Sequence, residues 1–234
     1  MMKLVRLEWK KNHIRKYMLG AVITAAALCL FAYALSFWGI ANDPDGTLDA
    51  VAGKDTVSSV VELFSGMAYL IFASVMCASF VVSPYKNKTM NLMFVYPIKR
   101  QKILAAEMLS VWLFNFAALV LTKLAAYLCV YIGSGFMTSS FVVDFDMSSG
   151  FFYIQLVLKA VVIVSMSFLA LFIGMAVKSS KACIVSSFLL IFLTQANVGD
   201  FTMAGSAVFP AVLTVISLAA AVLTVCRAEK KDLI

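Results

Sequence analysis

Apolar residues in this chain do not alternate with polar ones; they run on for the length of a bilayer crossing. Six such runs stand out, at 18–40, 57–82, 104–133, 151–177, 182–197 and 208–226. About 20 apolar residues in helical form cross about 30 Å of hydrocarbon, so each run is read as a transmembrane helix. The third run, at 30 residues, would extend about 45 Å and must tilt or protrude. The fifth is short and closes on Thr194-Gln195-Ala196-Asn197, the pattern of a helix that stops below the surface. The first run follows basic residues and contains Ala32-Tyr33-Ala34, which resembles a signal-peptide cleavage site. Its apolar stretch continues to Ile40 and five more runs follow, so a retained anchor is the better reading.

Two segments outside the runs carry a finer pattern. Residues 1–17 lack Gly and Pro; Lys3, Arg6 and Lys10 form one stripe beside Leu4, Leu7, Ile14 and Met18, with Lys11 and Arg15 interrupting the apolar side. With Trp9 and Tyr17 as anchors, this predicts a helix lying on the inner leaflet. Residues 83–102 join the second and third runs. Pro84 is expected to stop the second span, and Pro97 to break whatever begins near Asn87. Between them, polar Asn87, Lys88 and Asn91 accompany apolar Met90, Leu92, Met93 and Phe94. So short a helix is poorly stable alone. Its apolar side chains fit either a groove on a soluble partner or a turn dipping into lipid.

Composition and charge then set class and orientation. The chain of 234 residues is 63% hydrophobic and 13% charged, against about 45–50% and 25% in soluble domains, which excludes an ordinary soluble fold. Low charge and high apolar content exclude a disordered chain as well. With the N-terminus inside and six crossings, sixteen of the nineteen Lys and Arg fall on the cytoplasmic side. Outside lie Lys54 and the acids Asp43, Asp45, Asp49, Asp55, Asp144, Asp146 and Asp200. Both termini are therefore expected in the cytoplasm, with a short tail at 227–234. The net charge of +7 reflects this asymmetry and anionic headgroups, not nucleic acid. The fold class expected is an all-α integral membrane protein of six spans, with an N-terminal interfacial helix and a short cytoplasmic helix.

Polar residues inside apolar runs are costly and usually face protein or water. Lys123 and Lys159 lie in the third and fourth runs, and Glu62 near the outer end of the second. A Glu62–Lys123 or Glu62–Lys159 pair is geometrically open, with Gln155 one turn before Lys159. Together with Asn115, Gln195 and Asn197 they form a candidate cavity lining; snorkelling of the two lysines is the alternative. Gly66, Gly174, Ser165, Ser167 and Ala219–Ala221 favour close helix packing. Cys29, Cys77, Cys129, Cys183 and Cys226 each lie in an apolar run, without C-x-x-C spacing, so neither zinc nor a disulfide framework is expected.

Enzymatic readings find little support. The single histidine, His13, lies in the cytoplasmic flank, which leaves no buried Ser-His pair and no metal set at membrane depth. No phosphate-binding G-x-x-x-x-G-K-[ST] motif is present. An ion-coupled carrier would rest on Glu62 as coupling acid.

Tyr85-Lys86-Asn87-Lys88-Thr89, followed by Tyr96-Pro97-Ile98-x-Arg100-x-Lys102-Ile103-Leu104, resembles the first cytoplasmic loop of type-2 ABC transporter permeases. The likeness is to the small six-span bacterial kind that exports, or confers immunity to, antimicrobial peptides. It extends in layout to the whole chain, but its specific part is these twenty or so residues. Relatives often carry a glutamate before the Tyr where this chain has Pro84, so the contact that glutamate makes is not carried over. The resemblance implies a coupling helix at 87–95 docking on a separate ATPase subunit. Asn87, Lys88, Thr89, Met90, Asn91, Met93 and Phe94, with Tyr96 and Pro97, would form that contact. It also implies pairing with a second copy or a similar permease in a bacterial cytoplasmic membrane. ATP and Mg would be held by the partner, and this chain would bind no cofactor and catalyse no reaction. An amphipathic peptide or hydrophobic toxin is the implied cargo, and a non-transporting assembly or sensing subunit is the variant left open.

Overall fold

A computed structural model of the chain describes residues 2–12, 14–37, 56–86, 100–136, 147–195, 197–198, 201–202 and 208–230. The described residues are helical apart from short turns and one two-residue antiparallel pair. The helices are α1 (Met2–Lys11), α2 (Ile14–Phe37), α3 (Thr56–Cys77), α4 (Arg100–Phe136), α5 (Gly150–Val177), α6 (Ser180–Gln195) and α7 (Val208–Lys230). Strands β1 (Asn197–Val198) and β2 (Phe201–Thr202) pair Asn197 with Thr202 and Val198 with Phe201. Among the described residues, four segments are long and apolar enough to cross a membrane: Ile14–Ala34, Val61–Val82, Gln101–Gly133 and Gly150–Val177. Ser180–Phe192 and Pro210–Cys226 are shorter apolar helices. By length and composition the chain is a multi-pass helical membrane protein.

Several boundaries differ from those read in the sequence. The basic N-terminal helix ends at Lys11, and Ile14–Tyr17 already belongs to α2. The second apolar span closes at Val82 as read, but the helix itself runs on through Pro84. After α3 the chain makes one π turn over Ala78–Val82 and then an α turn over Ser83–Lys86, which contains Pro84. A proline ring clashes with the carbonyl four residues earlier and removes one N–H. The wider π turn, closed by Ser83 N–H on Ala78 O, precedes that proline and relieves the crowding. The fifth run ends as helix at Gln195, so Asn197 lies on β1 rather than on a helix.

The chain forms two compact units. One contains Arg15–Ala68 and Ala117–Ala160. Its core gathers Ala32, Val61, Ala126, Tyr127, Val130 and Leu156. Phe152 meets Tyr127 edge-on with ring centres 4.9 Å apart, and Phe31 meets Phe64 at 4.7 Å. The long aliphatic face of α2 is open, with Val22, Leu19 and Leu30 more than 60% exposed, as suits a helix bordering lipid.

The other unit contains Met1–Ile14, Tyr69–Phe116 and Val161–Ile234. Here Tyr69, Met76, Phe80, Leu104 and Leu171 are fully buried, knitted by small polar residues. Ser74 and Ser187 share a hydrogen bond of 3.0 Å, and Trp112 Nε1 donates to Ser165 Oγ at 3.4 Å. Such hydroxyls also bond carbonyls of their own helix, as Ser167 does to Val164 O at 2.7 Å, which satisfies the hydroxyl donor. The turn from α5 to α6 is tight: Lys178, at φ 55°, closes α5 with Ser179 N–H on Gly174 O and its own N–H on Met175 O. These two bonds form the left-handed helix end usually built on glycine.

Candidate functional site: two buried charge clusters

In the unit of Arg15–Ala68 and Ala117–Ala160, three helices each contribute one ionisable group to a single cluster. Glu62 stands on α3, Lys123 on α4 and Lys159 on α5. Lys159 Nζ lies 2.6 Å from Glu62 Oε2, and Lys123 Nζ lies 3.7 Å from Glu62 Oε1. The two ammonium groups differ in environment. The Lys123 side chain is wholly buried and its Nζ makes no hydrogen bond, whereas the Lys159 side chain is 55% exposed. Leu119, Ala126 and Tyr127, all buried, occupy the same face of α4 as Lys123 and hold its stem. Both pairings open to Glu62 in the sequence are present, joined through one carboxylate. Gln155 is exposed one turn before Lys159 on α5. A narrow apolar cleft in this unit is lined by Leu28, Phe31, Val61, Phe64, Ser65 and Thr122. Val61 and Thr122 directly precede Glu62 and Lys123 in sequence.

The second cluster, in the other unit, joins α1 to the start of α4. Lys11 Nζ bridges Glu8 Oε2 at 3.0 Å and Glu107 Oε1 at 3.1 Å. Beside it Trp9 Nε1 donates to Ser110 O at 3.2 Å, and Asn12 Nδ2 reaches Glu8 Oε2 at 3.4 Å. Glu107 is fully buried, and its Oε2 makes no hydrogen bond. Burial opposes the Lys11 ammonium, but the Glu107 charge and the hydrogen bonds to Glu8 and Glu107 outweigh it. Lys11 therefore titrates above its ordinary value of 10.5. The face of α1 that docks is Val5, Glu8 and Trp9, while Arg6, Leu7 and Lys10 stay exposed. The apolar stripe read in the sequence, Leu4 and Leu7, is thus not the buried one. The missed signal was Glu107, one of only four acids (Glu8, Glu107, Glu229 and Asp232) on a face expected to be basic.

The other residues named from the sequence separate. Asn115 belongs to the second unit, fully buried, with Nδ2 on Val111 O at 2.8 Å and on Met76 Sδ at 3.4 Å. Its Oδ1 has no hydrogen-bond partner. Within its own unit it is a packing residue of α4. Gln195 closes α6 and Asn197 opens β1. Asn87, Lys88, Thr89, Met90, Asn91, Met93, Phe94, Tyr96 and Pro97 lie outside the described residues. The five cysteines are free thiols.

No protein-family model matches the chain, and no solved structure matches it. Among curated proteins, one of Bacillus subtilis (strain 168), named "Uncharacterized protein YcbO", is 26% identical over 237 residues. That match covers 99% of this chain and all of the relative. The likeness therefore spans the whole molecule, and the relative's name assigns no activity.

Proposed function

We propose that this chain is the membrane-spanning subunit of an ABC exporter, powered by ATP hydrolysed on a separate polypeptide. In this reading six helices cross a bacterial cytoplasmic membrane with both termini inside, and two permease chains pair around the pathway. The cargo class is an amphipathic peptide or hydrophobic toxin. The observation that carries the reading is the base of α4. This helix runs unbroken for 37 residues from Arg100, directly after the loop that resembles a coupling segment. Its first turns are fastened to α1 by Lys11–Glu107 and Trp9–Ser110. A push on residues 87–99 would therefore enter a stiff rod braced at its base, which is what a coupled motor requires.

The test is native co-purification of the tagged full chain from its own membranes. A separate ATPase is expected in stoichiometric amount, and joint replacement of Met90, Met93 and Phe94 by Asp is expected to lose it while the protein still folds. Retention of the ATPase by that variant would refute the docking assignment. Transport by this chain alone under a proton gradient would support a carrier instead.

A further inference from the structure

Among the described residues, the Glu62 cluster sets two lysine side chains against one carboxylate, and no other acidic side chain pairs with Lys123 or Lys159. All three groups lie in segments apolar and long enough to cross a membrane, where an uncompensated charge is expensive. The geometry is lopsided in a way that matters. Glu62 is drawn onto the half-exposed Lys159 at 2.6 Å and stands off from the wholly buried Lys123 at 3.7 Å, whose ammonium makes no hydrogen bond. The carboxylate therefore serves the lysine that needs it less.

We propose that Lys159 is the docking point for one acidic oxyanion group carried by an amphiphile, a phosphate or a carboxylate. When that group occupies Lys159, Glu62 is free to close on Lys123, and two cations then face two anions. The surroundings fit an amphiphile rather than a hydrated ion. Phe151, Ile154 and Leu158 on α5 are each more than half exposed beside Lys159, offering an apolar wall to a chain. Exposed Gln155, one turn away, adds a neutral amide for the headgroup. The inference stands apart from the transport reading: it concerns what the cluster binds, whether or not the chain moves it.

The experiment uses the full-length protein in dodecyl maltoside, titrated with phosphatidylglycerol, with phosphatidylcholine and with inorganic phosphate. Binding is read by native mass spectrometry and thermal melting. One phosphatidylglycerol per chain is expected to bind in preference to phosphatidylcholine. Lys159→Gln should weaken it about tenfold, the loss of one charge-assisted contact, and Lys159→Arg should retain it. Glu62→Gln is the decisive variant. It removes the competing carboxylate, so phosphatidylglycerol should bind more tightly and raise the melting temperature by more than in the wild type. Stabilisation by inorganic phosphate alone would identify a headgroup-only site; none, with phosphatidylglycerol effective, would identify the lipid as the ligand. Equal binding of the two lipids, an unchanged Lys159→Gln, or weaker binding in Glu62→Gln would each overturn the proposal.

Discussion

Gly174→Ala sets two effects against each other, and the structure decides the sign. Alanine is the better helix former by about 1 kcal/mol, so a reading of α5 alone expects stabilisation. A Cβ at Gly174, however, would stand 2.6 Å from Cys183 Cβ and 3.2 Å from Cys183 Cα. Carbon atoms rest at about 3.5–4.0 Å, so α5 and α6 would have to part locally by about 1 Å. Neither contact atom is a flexible tip, and Cys183 is completely buried. Overpacking of this kind costs about 1–3 kcal/mol. The net expectation is destabilisation of up to about 2 kcal/mol, up to roughly 8 °C in melting temperature. The assay is thermal unfolding in detergent followed with a thiol-reactive dye, since Cys77 and Cys183 are buried and label only on unfolding. Cys183→Gly in the Gly174→Ala background removes the opposing Cβ and should restore part of the loss, a coupling that Cys183→Ala should not show. A Gly174→Ala protein that melts at or above wild type would refute the reasoning.

Two further outcomes are expected. Lys178→Gly removes the cost of a side chain at φ 55°, and should raise stability by about 1 kcal/mol in the same melt. Lys11→Met strands the buried Glu107 carboxylate; with Lys11 about a third exposed, the loss should be about 1–3 kcal/mol, below the figure for a fully buried pair. Because Lys11 titrates above its ordinary 10.5, the wild type's advantage over Lys11→Met should be full where that ammonium and the Glu8 and Glu107 carboxylates are all charged, and should shrink at acidic pH as the carboxylates protonate. It should also fade as pH climbs through the raised Lys11 value. A difference that persisted unchanged as pH climbed through the raised value would show that the ammonium is not what stabilises the contact.

The helices were legible because their signal is run length, which needs no tertiary knowledge. The Glu62 cluster was legible for a related reason: charges are so rare in these runs that the few present have few partners. The α1 contact was not. Val5 and Glu8 face inward because Glu107 and Ser110 stand opposite, and periodicity within residues 1–17 contains no information about α4. Pro84 misled because local propensity treats proline as a stop, whereas a helix can widen by one residue to accept it. Polarity alone places Asn115 inside an apolar run without naming its partners, Val111 O and Met76 Sδ for Nδ2.

That widened turn also fixes a phase. One additional residue in the winding advances everything beyond Val82 by about 100° around the axis relative to an uninterrupted α-helix. The direction in which Ser83–Lys86 delivers the chain toward residue 87 is thus set by a single supernumerary residue and the proline that tolerates it. Deleting one residue from Ala78–Val82 while replacing Pro84 by Ala would re-aim the exit of the second span with little change in its apolar content, a rotary adjustment written in the smallest unit a sequence can change.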